Sequence, residues 1–460
     1  MKKIYNKLIL LILLSIGIFL PYWITESSPS HLTFTVGPYT QNVTNNSITI
    51  LWETSTPTRY NIVEYGENTS YGYRVVGEAN TTHHEITIHP SFSSGHYKVI
   101  SDSLESRDLR FKLATDSSFR YIIYGDSRGV WDNWLHAKKV AYAINLEHPD
   151  IVIHDGDMVR NGRDETQWTI WLDFMKPLMQ NTTVFTVLGN HEENGDRYYE
   201  IFALPDNEKW YSFDYGSCHF IILDNYESYD KTSEQYNWLK KDLSSTSKPF
   251  KIVCMHEPIY CSGRHEPRRD IRRVWEPLFK EYDVNLVFQS HNHYYQRTNP
   301  IDGVTYIVTG GGGAPLYDPV DASFINISVK DYHYCVLDVS ESKIICYAKY
   351  INGTVFDEFI ISPLNARIIK PRGAMYLFNR RLISLPFTIV IGAINIEVKT
   401  SNNVNKVEFY IDNELVDVDY TPPYEWFWNK FAIGKHEIRV IAYDNEENIA
   451  SDEIMTLKLI

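Results

Sequence analysis

FRYIIYGDSRG (residues 119–129) and IVIHDGDMVRNG (151–162) share one form: a short apolar run that ends in a polar turn built on Gly-Asp. Unbroken apolar runs of this length belong to strands buried on both faces. WLHAKKVAYAINLEHPD (134–150) lies between them and is spaced as an amphipathic helix, stopped by Pro149. The pattern continues down the chain. TQWTIWLDFMKPLMQ (166–180), SEQYNWLKKDLSS (233–245) and IRRVWEPLFKEYD (271–283) read as helices. TVFTVLGNHEENG (183–195), FKIVCMHEPIY (250–260) and VNLVFQSHNHYYQR (284–297) read as strands running into loops. Strands alternating with helices predict an α/β domain whose sheet is covered on both faces. Ligands gather at the carboxyl ends of such strands.

The flanks read differently. Residues 29–115 look all-β, with SITILWET (47–54) and YNIVEYGE (60–67) alternating between polar turns, as in a small immunoglobulin- or fibronectin-type sandwich. Beyond DGVTYIVTGGGGAPLYD (302–318) the chain returns to β, with YHYCVLDVSESKIICYAKY (332–350) and GTVFDEFIIS (353–362) as hairpin-like strands. Pro363 and the basic ARIIKPRG (366–373) read as a linker. The remainder alternates cleanly, with turns at Asp412-Asn413 and Asp444-Asn445, and predicts another sandwich. The expected division is 1–28 leader or anchor, 29–115 sandwich, 116–363 α/β domain and 364–460 sandwich.

Of 460 residues 43% are hydrophobic, ample for several cores, and the net charge is −14. Without a Lys/Arg block, that charge argues against a nucleic-acid partner. Three lysines precede an apolar run from Leu8 to Ile24, as in a secretory signal or an uncleaved membrane anchor. The expected location is extracellular or at the cell surface, with membrane contact through this segment if it is uncleaved. LISLPFTIVIGAINIEV (382–398), broken by Pro386, reads as strand rather than span. Sequons at Asn42, Asn45, Asn68, Asn80, Asn181, Asn326 and Asn352 agree with export. Outside the cell, Cys254 with Cys261 and Cys335 with Cys346 are candidate pairs that leave Cys218 over. Five buried thiols are the alternative.

The chemistry lies in the turns. Asp126, Asp157, Asn190 with His191, His256, and His291 with His293 each follow a predicted strand. One such residue is ordinary capping. Five clusters converging on one sheet edge would be costly without a partner. Carboxylate, amide oxygen and imidazole are the mix that divalent ions take. Two carboxylates, one amide and three histidines exceed one tetrahedral ion and suit two ions sharing a carboxylate, with His291 and His293 on different ions.

The ordered set GD, GD, GNHE, H and SHNH resembles the signature of calcineurin-like metallophosphoesterases, and most closely the purple acid phosphatase-like branch. SHNHYYQRTNP with the glycine-rich loop is similar to that group's closing motif. VGPYTQNVTNNSITILWET is similar to its N-terminal fibronectin-like domain. The resemblance covers about residues 34–362. It implies a four-layer α/β/β/α catalytic domain between the two sandwiches, and a phosphatase acting on a small phosphate ester. It implies Asp157 bridging two ions of iron, manganese or zinc, with Asp126 and His293 on the first and Asn190, His256 and His291 on the second. His191 would face the substrate as proton donor or phosphate contact. Metal-made hydroxide would attack phosphorus in line between ions roughly 3.5–4 Å apart.

Two departures stand out. Purple members carry a tyrosine three residues after the bridging Asp, where this chain has Arg160, so the colour of a ferric tyrosinate is not expected. Many non-purple relatives carry a histidine where this chain has Arg128, which leaves the first ion three protein ligands. Arg128 is a candidate phosphate contact or the partner of a nearby carboxylate. His265 is a candidate substrate contact or an exposed loop residue, and His154 and Asp155 are candidate supports behind the ligands. TGGGGAPLYD (309–318) lacks the Gly-Lys-Ser/Thr ending of a phosphate loop; its glycines let backbone pass close to the metal site. Trp426 and Trp428 favour core packing over a sugar-binding strip, although a cell-surface or polysaccharide contact by the last domain stays open. Two other functions remain open: a phosphodiesterase or nucleotidase, and a cell-surface binding protein with a degenerate site.

Overall fold

The computed structural model describes residues 31–192, 195–401, 404–445 and 448–460. The leader or anchor expected at residues 1–28 lies outside them. Among the described residues no helix is long and apolar enough to cross a membrane.

The expected alternation forms two sheets. The parallel strands Thr183–Thr186, Ile151–His154 and Phe119–Tyr124 continue antiparallel into His333–Val339, Ile344–Tyr350 and Val355–Ile361. A seven-stranded sheet has Cys218–Leu223, Phe250–Met255, Leu286–Gln289 and Thr305–Thr309 parallel at its centre. Odd and even positions of each strand face opposite ways. Tyr121 meets Phe220 edge-on at 5.1 Å between the sheets, while its neighbour Tyr124 turns outward and its hydroxyl reaches Met175. Helices Leu135–Leu146 and Glu165–Met179 cover the first sheet. Glu234–Ser245 and Arg269–Glu281 cover the second, burying Leu239, Leu243, Trp275 and Phe279 against Val253, Met255 and Val287. The result is four layers, helix, sheet, sheet, helix. The hairpin Tyr211–Tyr215 with Cys218–Leu223 and the short helix Asp196–Ile201 had no clear sequence signal.

The N-terminal β-sheets pack around Trp52, whose indole donates to Ser101 Oγ at 2.9 Å. They are tied to the α/β layers by Tyr39 Oη donating to the Ile201 carbonyl at 2.6 Å and by the Arg197–Glu53 fork at 2.6 and 2.9 Å. The C-terminal Ig-like sheets enclose Ile368, Ile396, Phe409, Trp428 and Val440. Trp428 is core, and the partly buried Trp426 packs against that core.

Two expectations are corrected. The segment read as a linker is a strand, Ala366–Lys370, paired with Ile394–Thr400. Ala366 and Ile368 alternate into the core, and Arg367 between them is partly exposed and paired with Asp302. None of the five cysteines pairs; all are buried free thiols. Cys335 lies opposite Ala348 and Cys346 opposite Leu337, so the ladder sets them two residues out of register. Cys254 lies in the core between the sheets, and Cys261 in a separate cluster with Tyr294 and Val308.

Candidate metal centre

Five strand ends meet here because backbone bonds lock their turns together. Asp126 N–H donates to the Gly156 carbonyl at 2.9 Å, Arg128 N–H to Asp157 at 3.2 Å and Ser290 N–H to His256 at 2.9 Å. Asp126, Asp157 and His291 all have left-handed backbones, with φ of 60°, 58° and 64°. Such conformations are costly for residues with a side chain and collect at functional sites. The glycines permit close passage. A Cβ on Gly310 would fall 2.4 Å from the Asn292 carbonyl and 2.6 Å from Asp126 Oδ2.

Asp157, His256 and His291 place one ligand atom each within 4.8 Å of one another. His256 donates Nδ1–H to the Asp155 carbonyl at 2.8 Å, which turns Nε2 toward Asp157 Oδ1 at 3.4 Å. Asn190 Oδ1, His256 Nε2 and His291 Nδ1 are buried without a hydrogen-bond partner. Buried polar atoms are rarely orphaned, and three around one carboxylate fit the coordination of a divalent ion. On the far side, Asp126 Oδ1 stands 3.2 Å from His293 Nε2, and His293 donates Nδ1–H to the Pro315 carbonyl at 2.6 Å. Tyr317 stacks on His293 with ring centres 4.1 Å apart.

Arg128 reaches between these halves. Its Nε lies 3.1 Å from Asp157 Oδ2, and one terminal nitrogen donates to His293 Nε2 at 3.0 Å. The other terminal nitrogen meets His191 Nε2. His191 donates Nδ1–H to the Arg160 carbonyl at 2.7 Å and stands 3.9 Å from Asp157 Oδ2, at the rim. The donors for the second expected ion would therefore fit a metal once His256 gave up its Nε2 proton. Those for the first would not, because Arg128 uses the His293 lone pair.

Burial opposes charge on both Asp157 and His256, and their attraction outweighs it. Asp157 is held well below the carboxylate range, by His256 and then Arg128, and His256 rises to about 10. Burial, with His256 nearby, lowers His291 to about 2, so it is a neutral imidazole. To serve as a metal ligand, His256 would give up its Nε2 proton, the ion's charge then taking over its compensation of Asp157. Burial chiefly lowers His191, with Arg128 adding to it and Asp157 opposing.

The supports sit behind. His154 Nε2 pairs with Ser127 Oγ at 2.8 Å, and Ser290 Oγ donates to Asp155 Oδ2 at 3.1 Å. Burial pushes Asp155 up to about 8. His265 is half-buried, its ring 4.2 Å from that of His291. Glu192 has no role in the sequence reading, yet its buried carboxylate accepts N–H bonds from Asp157, Met158 and Gly189 at 2.8–2.9 Å. Its signal was an acid following GNH inside a turn between apolar strands. Trp131, over which Arg128 and Arg160 lie at 5.6 and 5.2 Å, and Tyr317 had no signal beyond aromaticity.

Residues 85–295 match the family model of calcineurin-like phosphoesterases, and residues 388–440 that of a bacterial Ig domain. Purple acid phosphatase 23 of Arabidopsis thaliana is 34% identical over 185 residues, 35% of this chain and 40% of that protein. The Fe(3+)-Zn(2+) purple acid phosphatase 12 of the same plant is 25% identical over 341 residues, 65% of this chain and 71% of that protein. The structure of a purple acid phosphatase from yellow lupin (Lupinus luteus) seeds superposes with a TM-score of 0.64 at 21% identity, over 71% of this chain and 74% of that one, and carries the fold. The chain spans about a third to two-fifths of the length of the first curated relatives it matches. Between its N-terminal β-sheets and C-terminal Ig-like sheets, the chain thus carries a calcineurin-like phosphoesterase domain and is similar to purple acid phosphatases.

Proposed function

We propose that this protein hydrolyses phosphate monoesters with the aid of metal held by Asp157, Asn190, His256 and His291. The observation that carries the reading is the orphaned donor set around Asp157, at the junction of five strand ends. Imidazole, amide and carboxylate suit iron, manganese or zinc and do not choose among them. When bound, such an ion supplies Lewis acidity toward phosphoryl oxygen and water.

The protein's own groups do the rest. Glu192 fixes the Asp157 turn through its N–H acceptors, and the Asp155 carbonyl fixes the His256 tautomer. Arg128 presents a planar fork of donors suited to phosphoryl oxygens. A monoester dianion offers that fork more charge than a diester does, which favours the monoester. His191 has its Nδ1 proton committed to Arg160 and Nε2 turned to Arg128, so in this arrangement it orients rather than donates a proton. His265 lines the approach beside His291. We also propose that the chain acts outside the cell; the lysine-flanked apolar start and the seven sequons support this.

The test is hydrolysis of a chromogenic phosphate monoester against the matching diester, with manganese, zinc or iron supplied. Faster monoester turnover is expected. A diester preference would redirect the reading to nucleotides or phosphodiester polymers. Inactivity on both with no bound metal would favour a binding protein with a degenerate site.

A further inference from the structure

We propose that the centre holds one ion, and that the Arg128 guanidinium takes the place of the second and binds a phosphoryl oxygen directly. This rests on the metal-dependent reading above.

An ion at the first position would need lone pairs from Asp126, His293 and the shared Asp157. His293 has one lone pair to give, because its Nδ1–H is committed to the Pro315 carbonyl at 2.6 Å. Arg128 already donates to that lone pair at 3.0 Å. Its Nε also sits 3.1 Å from Asp157 Oδ2, the oxygen turned away from His256. The guanidinium thus uses the His293 lone pair and stands in ion-pair contact with a second of the three donors a first ion would need.

It is also held there. The Arg128 side chain is 8% exposed, its backbone N–H donates to the Asp157 carbonyl at 3.2 Å, and Trp131 lies 5.6 Å over its face. With one ion held beside His256, a second divalent ion next to Arg128 would set five positive charges against the carboxylates of Asp126 and Asp157 in a buried site. Arg160 supplies no ligand in compensation; its guanidinium lies over the same Trp131 ring, at 5.2 Å. Asn190 Oδ1, His256 Nε2 and His291 Nδ1 take no hydrogen bond from Arg128, and Asp157 Oδ1 faces His256, so one ion position remains whole. A guanidinium supplies charge and directed donors toward a phosphoryl oxygen, as a second ion would, but cannot acidify a water.

The experiment counts metal. The full chain is loaded with manganese or zinc, freed of excess by gel filtration and analysed by mass spectrometry. One equivalent is expected. Arg128→His removes the guanidinium and adds an imidazole, and two equivalents are expected. Asp126→Asn leaves the single equivalent of the parent chain in place. Should Arg128→His fail to fold, Arg128→Lys serves. It keeps the charge without the fork, so one equivalent and at least tenfold weaker binding of inorganic phosphate by calorimetry are expected. Two equivalents in the parent chain, or unchanged phosphate affinity in Arg128→Lys, would overturn the inference and leave metal-dependent hydrolysis standing. No metal in the parent chain would overturn both.

Discussion

His256 and Asp155 are joined by one hydrogen bond, Nδ1–H to backbone carbonyl at 2.8 Å, and that bond determines which nitrogen faces the ion. Nε2 is left beside Asp157 in a fully buried pair. His256→Ala should abolish metal binding. Without metal it should also destabilise the chain by about 3–5 kcal/mol, because Asp157 keeps its charge without its strongest compensating partner. Metal analysis and urea unfolding in chelator check both. Unchanged metal content would remove His256 from the ligand set.

Glu192 accepts three short backbone N–H bonds across the Asp157 and Gly189 turns. Glu192→Gln keeps the volume but presents an amide donor to N–H groups. The expected cost is about 1–3 kcal/mol, with roughly 10- to 100-fold weaker metal binding. Metal titration followed by calorimetry gives the second figure. An affinity equal to the parent's would show that the turn holds without this acceptor.

Gly310 and Gly72 test close approach. A Cβ on Gly310 would press on the Asn292 carbonyl and Asp126 Oδ2, whereas one on Gly72 meets nothing within 4 Å. Gly310→Ala should cost about 1–3 kcal/mol and at least tenfold in monoester turnover, with Gly72→Ala near neutral. Equal behaviour of the two variants would contradict the packing of the glycine loop.

His219 is buried at the start of the strand Cys218–Leu223, between Asp214 at 2.7 Å and Asp242 at 2.8 Å. Burial opposes its charge, and the two carboxylates outweigh burial and raise it from 6.5 to about 9. The folded value exceeds the unfolded one. The stabilisation is therefore whole below about pH 6.5 and is lost as pH rises through 9. Its size is about 2–3 kcal/mol, the lower figure allowing for screening at the exposed Asp214. Denaturant unfolding across that window should show the loss in the parent chain and not in His219→Gln.

His191 stands at the rim, a quarter exposed, bonded to Arg160 and Arg128 and making none of the orphaned-donor contacts. His191→Ala should retain metal and lose turnover by roughly 10²-fold through loss of its hold on Arg128. Loss of metal in this variant would make it a ligand instead.

Much of the catalytic layer was legible because its signals are local. Buried parallel strands read as short apolar runs such as Tyr121–Tyr124, and each ends in a turn whose polar residues have no local structural reason to be there. The hairpin Tyr211–Tyr215 and the helix Asp196–Ile201 were not legible, since short elements lack a full period. ARIIKPRG misled through its charge. Its alternation into the core becomes visible only once Ile394–Thr400 lies beside it. Of the candidate cysteine pairs, Cys335 and Cys346 are parted by ladder register and Cys254 and Cys261 by lying in separate clusters, which spacing along the chain does not encode.

By itself, the sequence determined which groups reach the site. Turn chemistry is local, and it places Asp126, Asp157, Asn190, His256, His291 and His293 just after the strands of the two sheets whose ends meet at the site. The tertiary structure decided what those groups do there. The Asp155 carbonyl chooses the His256 nitrogen, Glu192 braces the Asp157 turn, and Arg128 uses the lone pair of His293. Each of these depends on a contact between residues 35 to 165 positions apart, and such geometry exists only after the sheets have packed.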